Sequence, residues 1–218
     1  MSALPDALLF DMDGTIVDSD PYWMEAEHNV LLDYGVPWTK ELGMTSVGVP
    51  LGIWVEGMFA QFSLSGDHAK ASAEIEAEVA EIFATRGALW RPGARRLMEL
   101  SVELGIPSAL VTATHSRIVE EIHASAPAGA LEVVVTGDMV SAGKPDPEGY
   151  RRAMGLLGVE PDRAVAFEDS PSGVKAAQAS GAITVLVPFM VDVPRTAGLH
   201  VIDSLERVDE ETLRALVG

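Results

Sequence analysis

The sequence predicts an α/β protein: a parallel sheet covered by helices on both faces, with a helical segment inserted after the first strand. Three observations carry this expectation. Short apolar, β-rich runs alternate with helical patterns over residues 91–218, the rhythm of a parallel sheet whose crossovers are helices. A similar run, Ala7–Phe10, stands alone near the start. Between them, residues 18–90 lack the alternation and read as helices only. A chain of 218 residues, 48% apolar, suits one large fold or a core with one insert.

In order along the chain, Ala7-Leu8-Leu9-Phe10 is too short for an amphipathic helix and fits a central strand buried on both faces. Residues 21–33 and 51–62 carry helical patterns. Residues 67–86, rich in Ala and Glu, place Ala71, Ile75, Val79, Ile82 and Phe83 on one face and stop before Gly87. The hinges of this helical stretch fall at 17–20 and 89–93. Leu97, Leu100 and Leu104 mark the next helix, Ser108–Val111 a second strand, and Val119 with Ile122 another helix. Strand-like runs follow at 133–136, 164–167 and 184–187. Pro147 and Pro171 sit where a first helical turn begins, behind the capping residues Asp146 and Ser170. The division is therefore a core of residues 1–17 and 91–218 with a helical unit of residues 18–90. No internal repeat or low-complexity tract is present.

Composition narrows the partners. Fifteen basic residues against 33 acidic ones give a net charge of −18, which repels nucleic acid and anionic membrane surfaces. It repels a phosphorylated ligand at long range too, so any phosphate site must rest on local donors and a metal. The absence of cysteine excludes disulfides, thiol nucleophiles and thiolate metal sites. No signal peptide or membrane-spanning apolar run is visible, which makes a cytoplasmic monomer the default expectation. The five histidines show no metal-ligand spacing, and no Walker-type loop, G-x-G-x-x-G or G-x-S-x-G occurs.

The chemistry concentrates at Asp11-Met12-Asp13-Gly14-Thr15, directly behind the first strand. Ligands of parallel α/β sheets bind just beyond the carboxyl ends of the strands. Gly14 lets the chain turn so that backbone amides can face an anion. The two carboxylates repel each other, and a bound cation would remove that cost; oxygen ligands suit Mg²⁺. A lone D-x-D is equally common as a solvated acidic turn, and on these residues alone both readings stand.

Further motifs follow in order: Val111-Thr112-Ala113-Thr114, Gly143-Lys144-Pro145-Asp146-Pro147, and Phe167-Glu168-Asp169-Ser170-Pro171-Ser172-Gly173, with Gly181 after the next helix. Together with the Asp11 motif they resemble the haloacid dehalogenase superfamily of phosphohydrolases over nearly the whole chain. The resemblance is nearest to the branch of sugar-phosphate phosphatases and β-phosphoglucomutase. It implies a Rossmann-like core with a helical cap and a Mg²⁺-dependent enzyme acting on a small phosphorylated metabolite such as a sugar or polyol phosphate. It implies Asp11 as nucleophile and Asp13 as acid and base, with the Asp13 carbonyl also a metal ligand. Asp13 argues against dehalogenation, since the dehalogenases do not have this second Asp. Thr112 and the amide of Ala113 are implied to hold a phosphoryl oxygen, and Lys144 to balance the charge of the phosphoryl group and Asp11. Asp169 completes the metal set with Asp11 and Asp13, and Glu168 joins it directly or through water.

Each residue also has a structural reading. Thr112 fits a helix cap, Lys144 a surface lysine, Glu168-Asp169-Ser170 a capping stretch, His115 a solvated helix start, and Trp23 and Trp54 core residues, with the lining of a sugar pocket as the alternative for either tryptophan. Asp138 matches the family pattern but is given no chemistry. Two rival functions remain. A phosphomutase needs a cation in the cap for a second phosphate, yet the comparable stretch, Gly48-Val49-Pro50-Leu51, is apolar. Only Lys40, Lys70 and Arg86 are basic across residues 18–90. A silent phosphometabolite-binding protein would be expected to lack one of Asp11, Asp13, Lys144 or Asp169, and all four are present.

Overall fold

A computed structural model describes residues 3–218. Six strands form one parallel sheet: β1 (Ala7–Phe10), β2 (Ser108–Val111), β3 (Val133–Val135), β4 (Ala164–Glu168), β5 (Ile183–Leu186) and β6 (Leu199–Val201), in the order β3-β2-β1-β4-β5-β6. The helices are α1 (Asp20–Asp33), α2 (Lys40–Gly43), α3 (Leu51–Gln61), α4 (His68–Arg86), α5 (Ala94–Glu103), α6 (Ser116–Ala124), α7 (Glu148–Leu157), α8 (Pro171–Ser180) and α9 (Glu210–Leu216). This is the α/β architecture that the alternation predicts.

β1 holds the centre because all four of its side chains are buried. Leu8 and Phe10 enter one core with Leu97, Met98, Ile118 and Ile122, whereas Ala7 and Leu9 enter the other with Tyr150, Ala153, Met154 and Ala176. A strand's period of two delivers alternate residues to opposite faces. Leu9 lies between Ala109 and Ala166, small neighbours that leave room for α7 above. Phe10 lies beside Phe167, with ring centroids 5.5 Å apart. Full burial of such a side chain contributes about 1.5–3 kcal/mol.

The chain crosses from β1 to β2 on one side and reaches β4 on the other, so the sheet's switch point lies beside β1. The carboxyl ends of β1, β2 and β4 therefore open onto one crevice. Helices α1 to α4 fall between β1 and α5. Asp67 caps α4, accepting from the amides of Ala69 and Lys70 at 3.0 and 3.1 Å. Tyr22 of α1 meets Phe83 of α4 edge-on, with centroids 4.9 Å apart. The two connections to this helical stretch run side by side: Val17 bridges Trp90, and the Asp18 amide donates to Leu89 O at 2.8 Å.

Boundaries depart from expectation in small ways. β5 begins at Ile183 rather than 184, α7 begins after Pro147, and β6 and the short α2 were not anticipated. No helix among the described residues is long and apolar enough to cross a membrane.

Candidate active site

Asp11 is the first residue beyond β1, and its amide donates to Phe167 O at 3.1 Å, fixing it against β4. Asp11 is only 6% exposed. Gly14 turns the chain back with φ +76°, and the Gly14 amide donates to Val17 O at 2.8 Å. A Cβ there would fall 2.1 Å from Asp169 Oδ2, so glycine is required on steric as well as conformational grounds.

Lys144 reaches this crevice from the segment before α7. Its Nζ donates to Asp11 Oδ1 at 2.5 Å and to Glu168 Oε1 at 2.6 Å. Glu168 ends β4, is fully buried, and also accepts the Tyr150 hydroxyl at 2.6 Å. Asp169 follows, ahead of Ser170, whose Oγ caps α8 by accepting the Gly173 amide at 3.0 Å. The carboxylates of Asp11, Glu168 and Asp169 each present an oxygen, and these oxygens lie within 4.8 Å of one another.

Three buried carboxylates thus crowd one ammonium, which bonds two of them, Asp11 and Glu168. Burial, followed by the charge of Glu168, pushes Asp11 up to about 7 against the pull of Lys144. Burial, followed by Asp11 and Glu168, pushes Asp169 up to about 9. Burial disfavours the Lys144 cation, but Asp11 and Glu168 outweigh it and hold the group above the usual lysine range. Burial and Glu168 likewise hold the Tyr150 phenol well above its ordinary value. Crowding of this kind is relieved either by protonation or by a hard cation.

Asp13 has different surroundings. Its Oδ1 accepts Ser19 Oγ at 2.5 Å and Trp23 Nε1 at 3.3 Å, both from the start of α1. Its Oδ2 accepts Thr114 Oγ1 at 2.6 Å and Thr112 Oγ1 at 3.3 Å, from beyond β2. Thr112 Oγ1 also accepts the Thr114 amide at 3.0 Å, so the hydroxyl expected to face a phosphoryl oxygen is directed here at Asp13. Ala113 is exposed, with Gly137 close behind its carbonyl.

The structure therefore brings Asp11, Lys144, Glu168 and Asp169 together, and sets Asp13 beside them with Thr112. Sequence reasoning passed over Ser19, Thr114 and Tyr150, and read Trp23 as core. His115 is exposed and pairs with Glu76 of α4 at 3.0 Å. Asp138 has a structural part: it accepts the Ser116 amide at 2.9 Å at the start of α6. A cavity of about 160 Å³ lies beside Thr112 and Lys144, with Pro50 from the helical stretch on its wall.

Residues 5–181 match the family model described as haloacid dehalogenase-like hydrolase. The chain is 35% identical over 181 residues to the phosphorylated carbohydrates phosphatase of Thermotoga maritima, covering 81% of this chain and 82% of that protein. It is 34% identical over 207 residues to hexitol phosphatase A of Escherichia coli, covering 92% and 91%. Its fold superposes on the crystal structure of CbbY from Rhodobacter sphaeroides in complex with phosphate with a TM-score of 0.81, at 27% identity, over 94% and 96% of the two chains. With the acidic crevice at the switch point of its sheet, the chain belongs to the haloacid dehalogenase-like hydrolases, as a phosphoric monoester hydrolase.

Proposed function

We propose that this protein is a Mg²⁺-dependent phosphatase that hydrolyses a small phosphorylated metabolite, a sugar or polyol phosphate, through an aspartyl-phosphate on Asp11. One observation carries the reading. Two carboxylates two residues apart sit in unlike surroundings: Asp11 buried against Lys144, and Asp13 held by hydroxyls and an indole. Such a difference lets one act as nucleophile while the other handles protons.

In this mechanism a carboxylate oxygen of Asp11 attacks phosphorus in line, and the bond from phosphorus to the alkoxide breaks. Asp13 gives its proton to the departing oxygen. A water molecule then attacks the acyl phosphate, returns a proton to Asp13, and inorganic phosphate leaves with Asp11 restored. Lys144 balances charge on the phosphoryl group, as does the backbone around Thr112 and Ala113. The donor set fits Mg²⁺, since Asp11, Asp169, the Asp13 carbonyl and Glu168 are all oxygen ligands. When bound, the ion would neutralise phosphoryl oxygens and the crowded carboxylates. Residues 18–90 act as a cap that excludes bulk water and selects the leaving group. The named substrates of the Thermotoga and Escherichia relatives, phosphorylated carbohydrates and hexitols, support this substrate class.

A mutase reading is not favoured. Among the cap's basic residues Arg86 pairs with Glu25 at 2.6 Å, Lys70 pairs with Glu74 at 3.4 Å, and Lys40 is exposed on α2. His115 is paired with Glu76. Among the described basic residues of the cap, two of three are thus committed to carboxylates, which argues against a held second phosphate.

The test is phosphate release from sugar, polyol and nucleotide monophosphates, with and without Mg²⁺. Release should require Mg²⁺ and vanish in Asp11→Asn. Asp13→Asn should lower the rate by about 10²–10⁴. Turnover surviving Asp11→Asn would refute the reading.

A further inference from the structure

Tyr150 lies outside every motif that marks the site, yet it touches two of the site's charges. It is carried by α7, two residues past the start of that helix, and is fully buried. Its hydroxyl donates to Glu168 Oε1 at 2.6 Å, the same oxygen that takes Lys144 Nζ at 2.6 Å. Its ring faces the Lys144 ammonium, 5.3 Å from the centroid, inside the range where a cation gains from an aromatic face. The other oxygen of Glu168 has only Ser170 Oγ, at 3.4 Å.

We propose that Tyr150 is a positioning residue: its hydroxyl locks Glu168 in the orientation that completes the cation site, and its ring seats Lys144 between Glu168 and Asp11. The inference rests on the phosphatase reading above. The physical reason is competition for one ammonium. Lys144 divides its donors between Asp11 Oδ1 at 2.5 Å and Glu168 Oε1 at 2.6 Å. A buried carboxylate with Lys144 as its sole strong donor would draw the lysine toward itself and away from Asp11. The phenol supplies a second, neutral donor to Oε1, so Glu168 is satisfied while Lys144 stays shared. It also leaves the second oxygen with no strong donor of its own. Hydrogen bonds to ionised acceptors are about twice as strong as neutral ones, which makes a hydroxyl adequate for this task.

Tyr150→Phe removes the hydroxyl and keeps the ring; Tyr150→Met removes both. Mg²⁺ binding is read by calorimetry on the full chain, with kcat and KM measured on the best monophosphate of the panel. In Y150F the Mg²⁺ affinity should fall by about 10- to 100-fold, the range seen when partners of metal ligands are lost. Its kcat should fall while KM moves little. Y150M should lose further kcat as Lys144 loses its seat. Wild-type Mg²⁺ affinity in Y150F overturns the proposal, whatever the rate does. Failure of Y150F to fold overturns it too, because the hydroxyl would then serve the core and not the site. A wild-type protein that binds Mg²⁺ without releasing phosphate refutes the phosphatase reading, while the calorimetric comparison still decides the role of Tyr150. A wild-type protein that binds no Mg²⁺ refutes both.

Discussion

Gly173 shows how closely single residues are fitted around Glu168. It is the third residue of α8, with an ordinary helical backbone, so alanine would normally stabilise the helix there by about 1 kcal/mol. A Cβ at this position, however, would lie 1.9 to 2.1 Å from the Glu168 carboxylate atoms. That distance is far inside contact, and Glu168 is hemmed in by Lys144 and Tyr150. Sterics win over propensity. Gly173→Ala should lower both the melting temperature and the turnover at least severalfold, measured by calorimetry and phosphate release. Asp11, Thr112 and Asp169 were legible because each directly follows a strand and lies within a short motif, and Lys144 because of the motif around it. Tyr150 and Thr114 were not. Tyr150 meets Glu168 across 18 positions and Thr114 meets Asp13 across 101, and no local pattern encodes such convergence. Trp23 packs against the core as its spacing suggests, but its N–H also aims at Asp13, which no local pattern reveals.

Among the elements, α6 depends on a side chain from elsewhere in the chain. Asp138, just beyond β3, accepts the Ser116 amide at 2.9 Å, Ser116 Oγ at 2.8 Å and Thr136 Oγ1 at 2.6 Å. These donors, Thr136 foremost, hold its carboxyl down at about 2, against an ordinary value of 3.8. A carboxyl lowered on folding contributes stability that is complete above the unfolded value and is lost as pH falls through the folded one. The stability advantage of the wild-type protein over Asp138→Asn should therefore be constant above about pH 4 and shrink toward pH 2, followed by chemical denaturation. The cap is consequential because α6 starts directly after Thr114 and His115. Most elements were legible from alternation and capping: Ser170 marks a true helix start, and Asp146 accepts the Glu148 amide at 2.9 Å where α7 begins. β6 was not. It has three residues, sits at the sheet edge, and none of its side chains is buried, so it has no apolar run to betray it.

At the scale of the molecule, the net charge of −18 opposes the approach of an anionic ester. Raising salt from about 10 to 150 mM shortens the screening length from about 30 to 8 Å. At saturating Mg²⁺, kcat/KM for a monophosphate should accordingly rise with salt while kcat stays level. A fall would mean that the local field of Lys144 extends past the mouth of the crevice. The −18 charge was plain from composition, but its balance at the site was not, because burial there outweighs net charge in setting Asp11 and Asp169. The paired connections at Val17–Trp90 and Asp18–Leu89 have a separate consequence. The chain leaves the sheet and returns to it at a single point, like a pendant on a two-stranded stem. The length of whatever hangs there is invisible to the strand register. Residues far along the stretch can therefore be added or lost without shifting the sheet, whereas the start of α1 cannot be exchanged freely, because Ser19 and Trp23 hold Asp13.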